Sequence, residues 1–179
     1  MSGDQLSLRP VAEADISVLE RFLIDPEAVG PFAWYGWSDP GGWRRQWAEN
    51  GLIGDDRGLL LVVRGSEVPG FVAWRKIATS RTAYCWNVGI NLFPEARGQG
   101  IGTRAQLLLV RYLFAHTQVA RIEAGTELDN LAEQRALEKV GFTREGVARA
   151  YTFRDGRWRD VVFYSMLRDE LAPATEEFV

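Results

Sequence analysis

Gly98, Gly100 and Gly102 alternate through the stretch Phe93-Pro94-Glu95-Ala96-Arg97-Gly98-Gln99-Gly100-Ile101-Gly102-Thr103. Removing every second Cβ lets the backbone curl until successive N–H groups point inward. Residues 83–93 before the turn read as a strand. Residues 103–117 after it read as a helix, with Ala105, Leu108, Leu109, Tyr112 and Leu113 at helical spacing. A nest of N–H groups opening onto a helix N-terminus is an anion site. Arg97 adds a cation that phosphate can pair with.

Four readings of this turn compete. A nucleotide P-loop ends in Gly-Lys-Ser/Thr, whereas Gly102 is followed by Thr103-Arg104. A dinucleotide fingerprint, as in an oxidoreductase, needs glycine where Thr103 stands, although Gly98-x-Gly100 and the distant Glu123 match in part. The pyrophosphate loop of acetyl-CoA enzymes, Arg/Gln-x-x-Gly-x-Gly/Ala, fits from Arg97 through Gly100 and Gly102. A tight turn with no ligand is the fourth reading, and an arginine with alternate glycines exceeds what such a turn needs.

The rest of the chain surrounds this unit with further strands and helices. Residues 6–11 alternate as a first strand, and a helix runs from Ala14 or Asp15 to about Leu23. Asp25-Pro26 stops it. Residues 26–43 interleave Trp34, Tyr35, Trp37 and Trp43 with glycine and proline, and a short helix follows to Asn50. Residues 58–64 and 70–77 read as a hairpin around Gly65-Ser66-Glu67. Residues 121–128 form a strand, and 130–140 a helix stopped by Gly141. The strands 143–153 and 158–167 flank Asp155-Gly156, a strong hairpin signal. The order β-α-α-β-β-β-α-β-α-β-β predicts an α/β (mixed α+β) class, a mixed sheet with helices on its faces. We take residues 1–171 as one domain and 172–179 as an acidic, frayed tail.

Composition narrows the classes. The 179 residues suffice for one core, and 46% are hydrophobic. No apolar stretch is long enough to span a bilayer, and the N-terminus lacks a signal-peptide pattern. A cytoplasmic protein without a membrane partner is expected. The net charge of −3 argues against general nucleic-acid binding. One histidine, His116, and one cysteine, Cys85, make neither a zinc site nor an internal disulfide. His116 ends a helix, and Cys85 reads as a buried strand residue.

Three segments together resemble the Gcn5-related (GNAT) N-acetyltransferases, of the RimJ/RimL-like kind. They are Asn87-Val88-Gly89-Ile90-Asn91-Leu92 running into the glycine turn, Asn130-x-x-x-x-Arg135-x-Leu137-Glu138-Lys139-x-Gly141-Phe142, and Gly156-x-Trp158-x-Asp160. The resemblance runs from about residue 5 to 170. It implies two central strands that splay apart with acetyl-CoA, the cosubstrate, between them. It implies that the backbone from Ile90 through Leu92 to Phe93 pairs with the pantetheine arm. The N–H groups of Arg97, Gly98, Gln99, Gly100, Ile101, Gly102 and Thr103 would hold the pyrophosphate. Asn130 would face the arm near the thioester, and Arg135 would also contact the cofactor. The loop from Phe32 to Trp43 matches the segment that roofs the acceptor, with Trp34, Tyr35 and Trp37 as its contacts and Asn87 on the floor of the site. A core packed under a long loop is the alternative for those aromatics.

The chain also departs from the family. RimJ/RimL-like enzymes often carry serine three residues after the helix-start asparagine, and others carry tyrosine seven after it. Glu133 and Leu137 stand there. Glu133 is either a catalytic acid or base, or the second half of a capping box with Asn130. Neither Asn87 nor Gly89, on the strand that often carries a glutamate base, can act as one. Two functions follow: acetyl transfer from acetyl-CoA to a primary amine of a small molecule or protein N-terminus, or an acyl-CoA-binding module without turnover. A homodimer is the oligomer to test for.

Overall fold

The computed structural model describes residues 5–172. Seven strands form one sheet in the order β1-β2-β3-β4-β5-β7-β6. They are β1 (Leu6–Arg9), β2 (Arg57–Arg64), β3 (Glu67–Ala78), β4 (Tyr84–Leu92), β5 (Arg121–Glu127), β6 (Thr143–Arg154) and β7 (Arg157–Leu167). The helices are α1 (Ile16–Ile24), α2 (Pro26–Val29), α3 (Gly42–Asn50), α4 (Ile101–His116) and α5 (Leu131–Val140). Every neighbouring strand pair is antiparallel except β4 and β5, which α4 connects as a crossover. The tail assigned to 172–179 lies almost wholly outside the described residues. No helix among those described is long and apolar enough to cross a membrane.

Strand alternation sends side chains to two separate cores. Leu60, Val62, Val72, Val88, Ile122 and Tyr164 pack under α4 and α5, against Ala105, Leu109, Leu113 and Leu137. Leu59, Leu61, Phe71 and Phe93 pack on the opposite face under α1, against Ile16, Leu19 and Phe22. Phe22 stacks on Phe93 at 4.3 Å and meets Phe71 edge-on at 5.1 Å. Trp47 ties α3 to this face by donating from Nε1 to the Val11 carbonyl at 2.7 Å.

Local signals set several element ends. Asp25 stops α1 and also starts α2, because its carboxylate accepts from the Glu27 N–H at 3.0 Å and Pro26 takes the first helical position. The β6–β7 turn has Asp155 at φ 51° and Gly156 at φ 75°, as Asp-Gly predicts. Asp160 of the third motif holds a bulge in β6, where it accepts from the N–H of Ala150, itself at φ 51°, at 2.8 Å.

The C-terminal end of β5 carries a buried ion pair. Arg154 Nε and Nη2 each donate to Glu127 at 2.7 Å, with side-chain exposures of 6% and 4%. Removing one partner of such a pair strands the other charge in low dielectric. Glu127→Ala should therefore lower unfolding free energy by about 3 kcal/mol in denaturant titration. A loss under about 1 kcal/mol would mean that Asp155 or water compensates Arg154 fully.

Candidate active site

β4 and β5 share only three residue pairs, Trp86↔Ile122, Asn87↔Glu123 and Val88↔Ala124. Beyond them β4 stays with β3 to Leu92, while β5 stays with β7 to Glu127. The strands thus open into a fork at Gly89 and Gly125. The antiparallel ladder fixes which groups face it. Phe93 N–H donates to Pro69 O at 2.9 Å, in register with the Phe71↔Asn91 pair. Odd residues of β4 therefore bond to β3, and Ile90 turns its N–H and C=O, and Leu92 its N–H, into the fork, the Leu92 C=O being taken by Arg97.

The glycine turn continues from that edge. Gly98 and Gly100 have φ of 73° and 76°, and a Cβ on either would meet no protein atom within 4 Å. The space beside the loop is open, as a bound anion requires. The first α4 bond runs from Arg104 N–H to Gly100 O at 3.2 Å. The N–H groups of Ile101, Gly102 and Thr103 therefore lie outside the helix ladder at its positive end. At Gly102 a Cβ would lie 3.6 Å from Leu92 Cδ1, an ordinary contact, so the helix packs against β4 without depending on glycine there. Backbone groups, rather than side chains, make this cradle.

The Arg97 side chain corrects the sequence expectation. Its Nε donates to Leu92 O at 2.9 Å, and Nη2 donates to Ala28 O at 2.8 Å and Val29 O at 3.1 Å. The guanidinium caps the end of α2 rather than reaching for a phosphate. It explains Gly30, where a Cβ would come within 2.6 Å of Arg97 Nη1 and φ is 83°. Burial lowers the Arg97 pKa. Gln99 also braces the turn, donating to Glu95 O at 2.6 Å and accepting from Arg64 at 2.9 Å.

Asn130 and Glu133 separate in role. Asn130 caps α5, its Oδ1 accepting from the Glu133 N–H at 3.4 Å, and its Nδ2 donates to Thr126 at 2.9 Å. The reciprocal half of the capping box is absent, because Asn130 N–H already donates to Glu127 O at 2.9 Å. The Glu133 carboxyl instead packs inward beside Gln106 of α4. Burial pushes its pKa up to about 7, partly offset by Gln106. Neither amide atom of that buried glutamine makes a close hydrogen bond. Leu137 is wholly buried in the core, and Arg135 is exposed on α5. Burial, with help from Glu123, pushes the Cys85 thiol up to about 11, which suits an inert strand residue.

A cavity of about 620 Å³ lies on the α1–α3 face of the sheet and reaches the fork. Asn87, Gly89 and Gly125 form its inner floor, and Phe71, Ala73, Leu59, Leu52, Trp43 and Gln46 line its walls. The sequence-predicted aromatics do not line it. Trp34 borders a second cavity with Gly30, Arg97 and Arg154, while Tyr35 and Trp37 are 62% and 81% exposed. Of the predicted segment from Phe32 to Trp43, only its last residue, Trp43, lines this cavity, held in α3 by a 5.4 Å edge-on contact with Phe71 that only the fold brings about.

If Arg97 is a brace, Arg97→Met should cost about 1–3 kcal/mol of stability and change CoA affinity less than threefold. Unfolding titration and calorimetry check this. Unchanged stability with a tenfold loss of CoA affinity would return the guanidinium to the phosphate.

Comparison with known proteins agrees with this geometry. Residues 5–143 match the family described as an acetyltransferase (GNAT) domain. A probable N-acetyltransferase of Bacillus subtilis, YjcK, is 42% identical over 73 residues, 41% of this chain. A putative ribosomal N-acetyltransferase of the same organism, YdaF, is 30% identical over 129 residues, 72% of this chain. The matched stretches span 40% and 66% of those two relatives. A spermidine N-acetyltransferase from Vibrio cholerae, solved in complex with CoA and spermine, superposes with a TM-score of 0.79. It is 18% identical and covers 93% of this chain and 97% of its own. With a family match over most of its length and a forked sheet leading into a glycine cradle, the chain belongs to the GNAT acetyltransferase family.

Proposed function

We propose that this protein transfers an acetyl group from acetyl-CoA to a primary amine. The observation that carries the reading is the open edge of β4, the Ile90 N–H and C=O and the Leu92 N–H, continuous with the open nest from Gly98 to Thr103. An extended amide chain can pair with that edge as an added strand, and a pyrophosphate at its end would meet the unpaired N–H groups. Its amide and phosphate groups suit the pantetheine and pyrophosphate of CoA, so the residues present fit the cosubstrate. The N-acetyltransferase names of the relatives support the same reading.

Bound acetyl-CoA would supply a thioester whose acetyl carbon bonds to the amine nitrogen as the carbon–sulfur bond breaks. The Leu92 N–H faces the fork and can donate to an oxygen gaining negative charge there. Glu133, with a pKa near neutrality, can hold a proton and release it to an anion near the start of α5. Asn130, fixed by Thr126, orients an amide toward the same end of the fork. Asn87 and Gly89 offer no base, so the acceptor's ammonium loses its proton either to solvent or to a carboxylate elsewhere through water.

Incubation with acetyl-CoA and a panel of amines, read as free thiol, tests the activity. Amine-dependent thiol release is expected, and CoA binding without it would make the chain a binding module. Glu133→Gln tests the proton. The rate should fall by about 10²-fold, and a limb that declines above pH 7 should disappear. Stability gives a second check. The folded pKa lies above the unfolded one, so wild type loses stability as pH rises from about 4.5 through 7. The variant should therefore be relatively more stable at pH 8 than at pH 4, by about 3 kcal/mol. A wild-type rate in a folded Glu133→Gln protein would remove the carboxyl from catalysis.

A further inference from the structure

Register places two arginines side by side at the cavity. Arg57 on β2 lies directly opposite Arg75 on β3, and Arg75 lies opposite Asn87 on β4. All three line the large cavity. Like charges opposed across an antiparallel pair are unfavourable. Here no carboxylate among the described residues pairs with them, and both arginines are exposed at the cavity mouth. Arg75 Nε donates only to the neutral Asn87 amide, at 3.3 Å, and neither arginine has a carboxylate partner among the described residues. The nearby acids are already committed. Asp56 pairs with Lys76 at 3.2 Å, and Glu123, in the same row on β5, pairs with Arg121 at 2.7 Å. The cavity thus has an uncompensated cationic end.

Its other end is different. One step along the sheet, Leu59, Ala73 and Gly89 share the next row of that face, with Gly125 across the fork and Phe71, Leu52 and Trp43 as apolar walls. Adjacent same-face positions on a strand are about 7 Å apart. A molecule whose amine sits at the fork therefore lies one same-face step, about 7 Å, from the strand positions of the two arginines, and its body lies against aromatic and aliphatic side chains.

We infer that the acceptor is an amine carrying a carboxylate within about 7 Å of its nitrogen, on an apolar or aromatic body, and that Arg57 and Arg75 select it by binding the carboxylate. This rests on the acetyl-transfer reading and names its substrate class. A polyamine would bring a second cation to these arginines and is selected against. The carboxylate can belong to a free amino acid or short peptide, or to an acidic side chain near a protein N-terminus.

The test compares amines matched except for that charge. Phenylalanine is set against phenylalaninamide, glycyl-phenylalanine against its C-terminal amide, and an N-terminal decapeptide with glutamate third against the same peptide with glutamine. Spermidine is the polycationic control. Thiol release should favour the carboxylate member of at least one pair by about tenfold or more in kcat/KM. The winning pair distinguishes a small acceptor from a protein N-terminus. Arg75→Gln and Arg57→Gln should each shrink that ratio by raising KM for the carboxylate acceptor, while KM for acetyl-CoA serves as the internal control. A preference for spermidine or the amides, or a ratio unmoved in both variants, overturns the inference. If no amine turns over, the acetyl-transfer reading fails. Calorimetry of the acidic peptide and its amide with CoA-saturated protein then decides the site alone. Tighter carboxylate binding that is lost in Arg75→Gln upholds it, and equal binding overturns it.

Discussion

Two parallel strands that part after three residue pairs leave backbone polar groups unpaired in the middle of a sheet. A sheet tolerates this only where something else meets those groups, because a buried N–H or C=O without a partner is costly. The fork between β4 and β5 is that place. The crossover helix α4 begins where the free edge of β4 ends, so the unpaired N–H groups of a strand lead directly to those of a helix N-terminus. The site is therefore largely main chain. Its geometry is set by the strand register of β3 with β4 and β5 with β7, which hold the two prongs apart.

The surrounding side chains stabilise this arrangement more than they contact a ligand. Arg97 joins the end of β4 to the end of α2, and Gln99 links the turn to Arg64 on β2. Phe93 closes β4 by stacking on Phe22 of α1. On the other prong, Thr126 and Glu127 receive Asn130 and Arg154. The two faces of the sheet then divide the work. The face under α4 and α5 holds the larger core and the Glu133 carboxyl beside Gln106. The face under α1 and α3 holds the cavity that opens onto the fork.

Local chemistry was legible in the sequence wherever a residue acts through its own backbone. Gly98 and Gly100 adopt the positive φ that their spacing implied, Asp155-Gly156 turns the last hairpin, Asn130 caps α5, and Gly141 ends it at φ 108°. The order of strands and long helices followed from periodicity. What was not legible depends on distant partners. The direction of Arg97 is decided by carbonyls nearly seventy positions earlier in the chain. Asn130-x-x-Glu133 has capping-box spacing, yet the Glu127 carbonyl had already taken the N–H that the glutamate would need. The loop from Phe32 to Trp43 resembles the family's roof by position, but only its last residue, Trp43, turned inward by α3, reaches the cavity wall. The juxtaposition of Arg57 and Arg75 exists only in the register of β2 with β3.

Amide hydrogen exchange with and without CoA tests the central claim most directly, because it reports on backbone groups one by one. Gly89 and Asn91 bond to β3 and should be protected in both states. Ile90, Leu92 and the amides from Gly98 to Thr103 should exchange readily in the free protein and slow by about tenfold or more once CoA is bound. Binding of CoA that leaves Ile90 and Leu92 exchanging at their free rates would contradict the account, since the ligand would then lie elsewhere than in the fork.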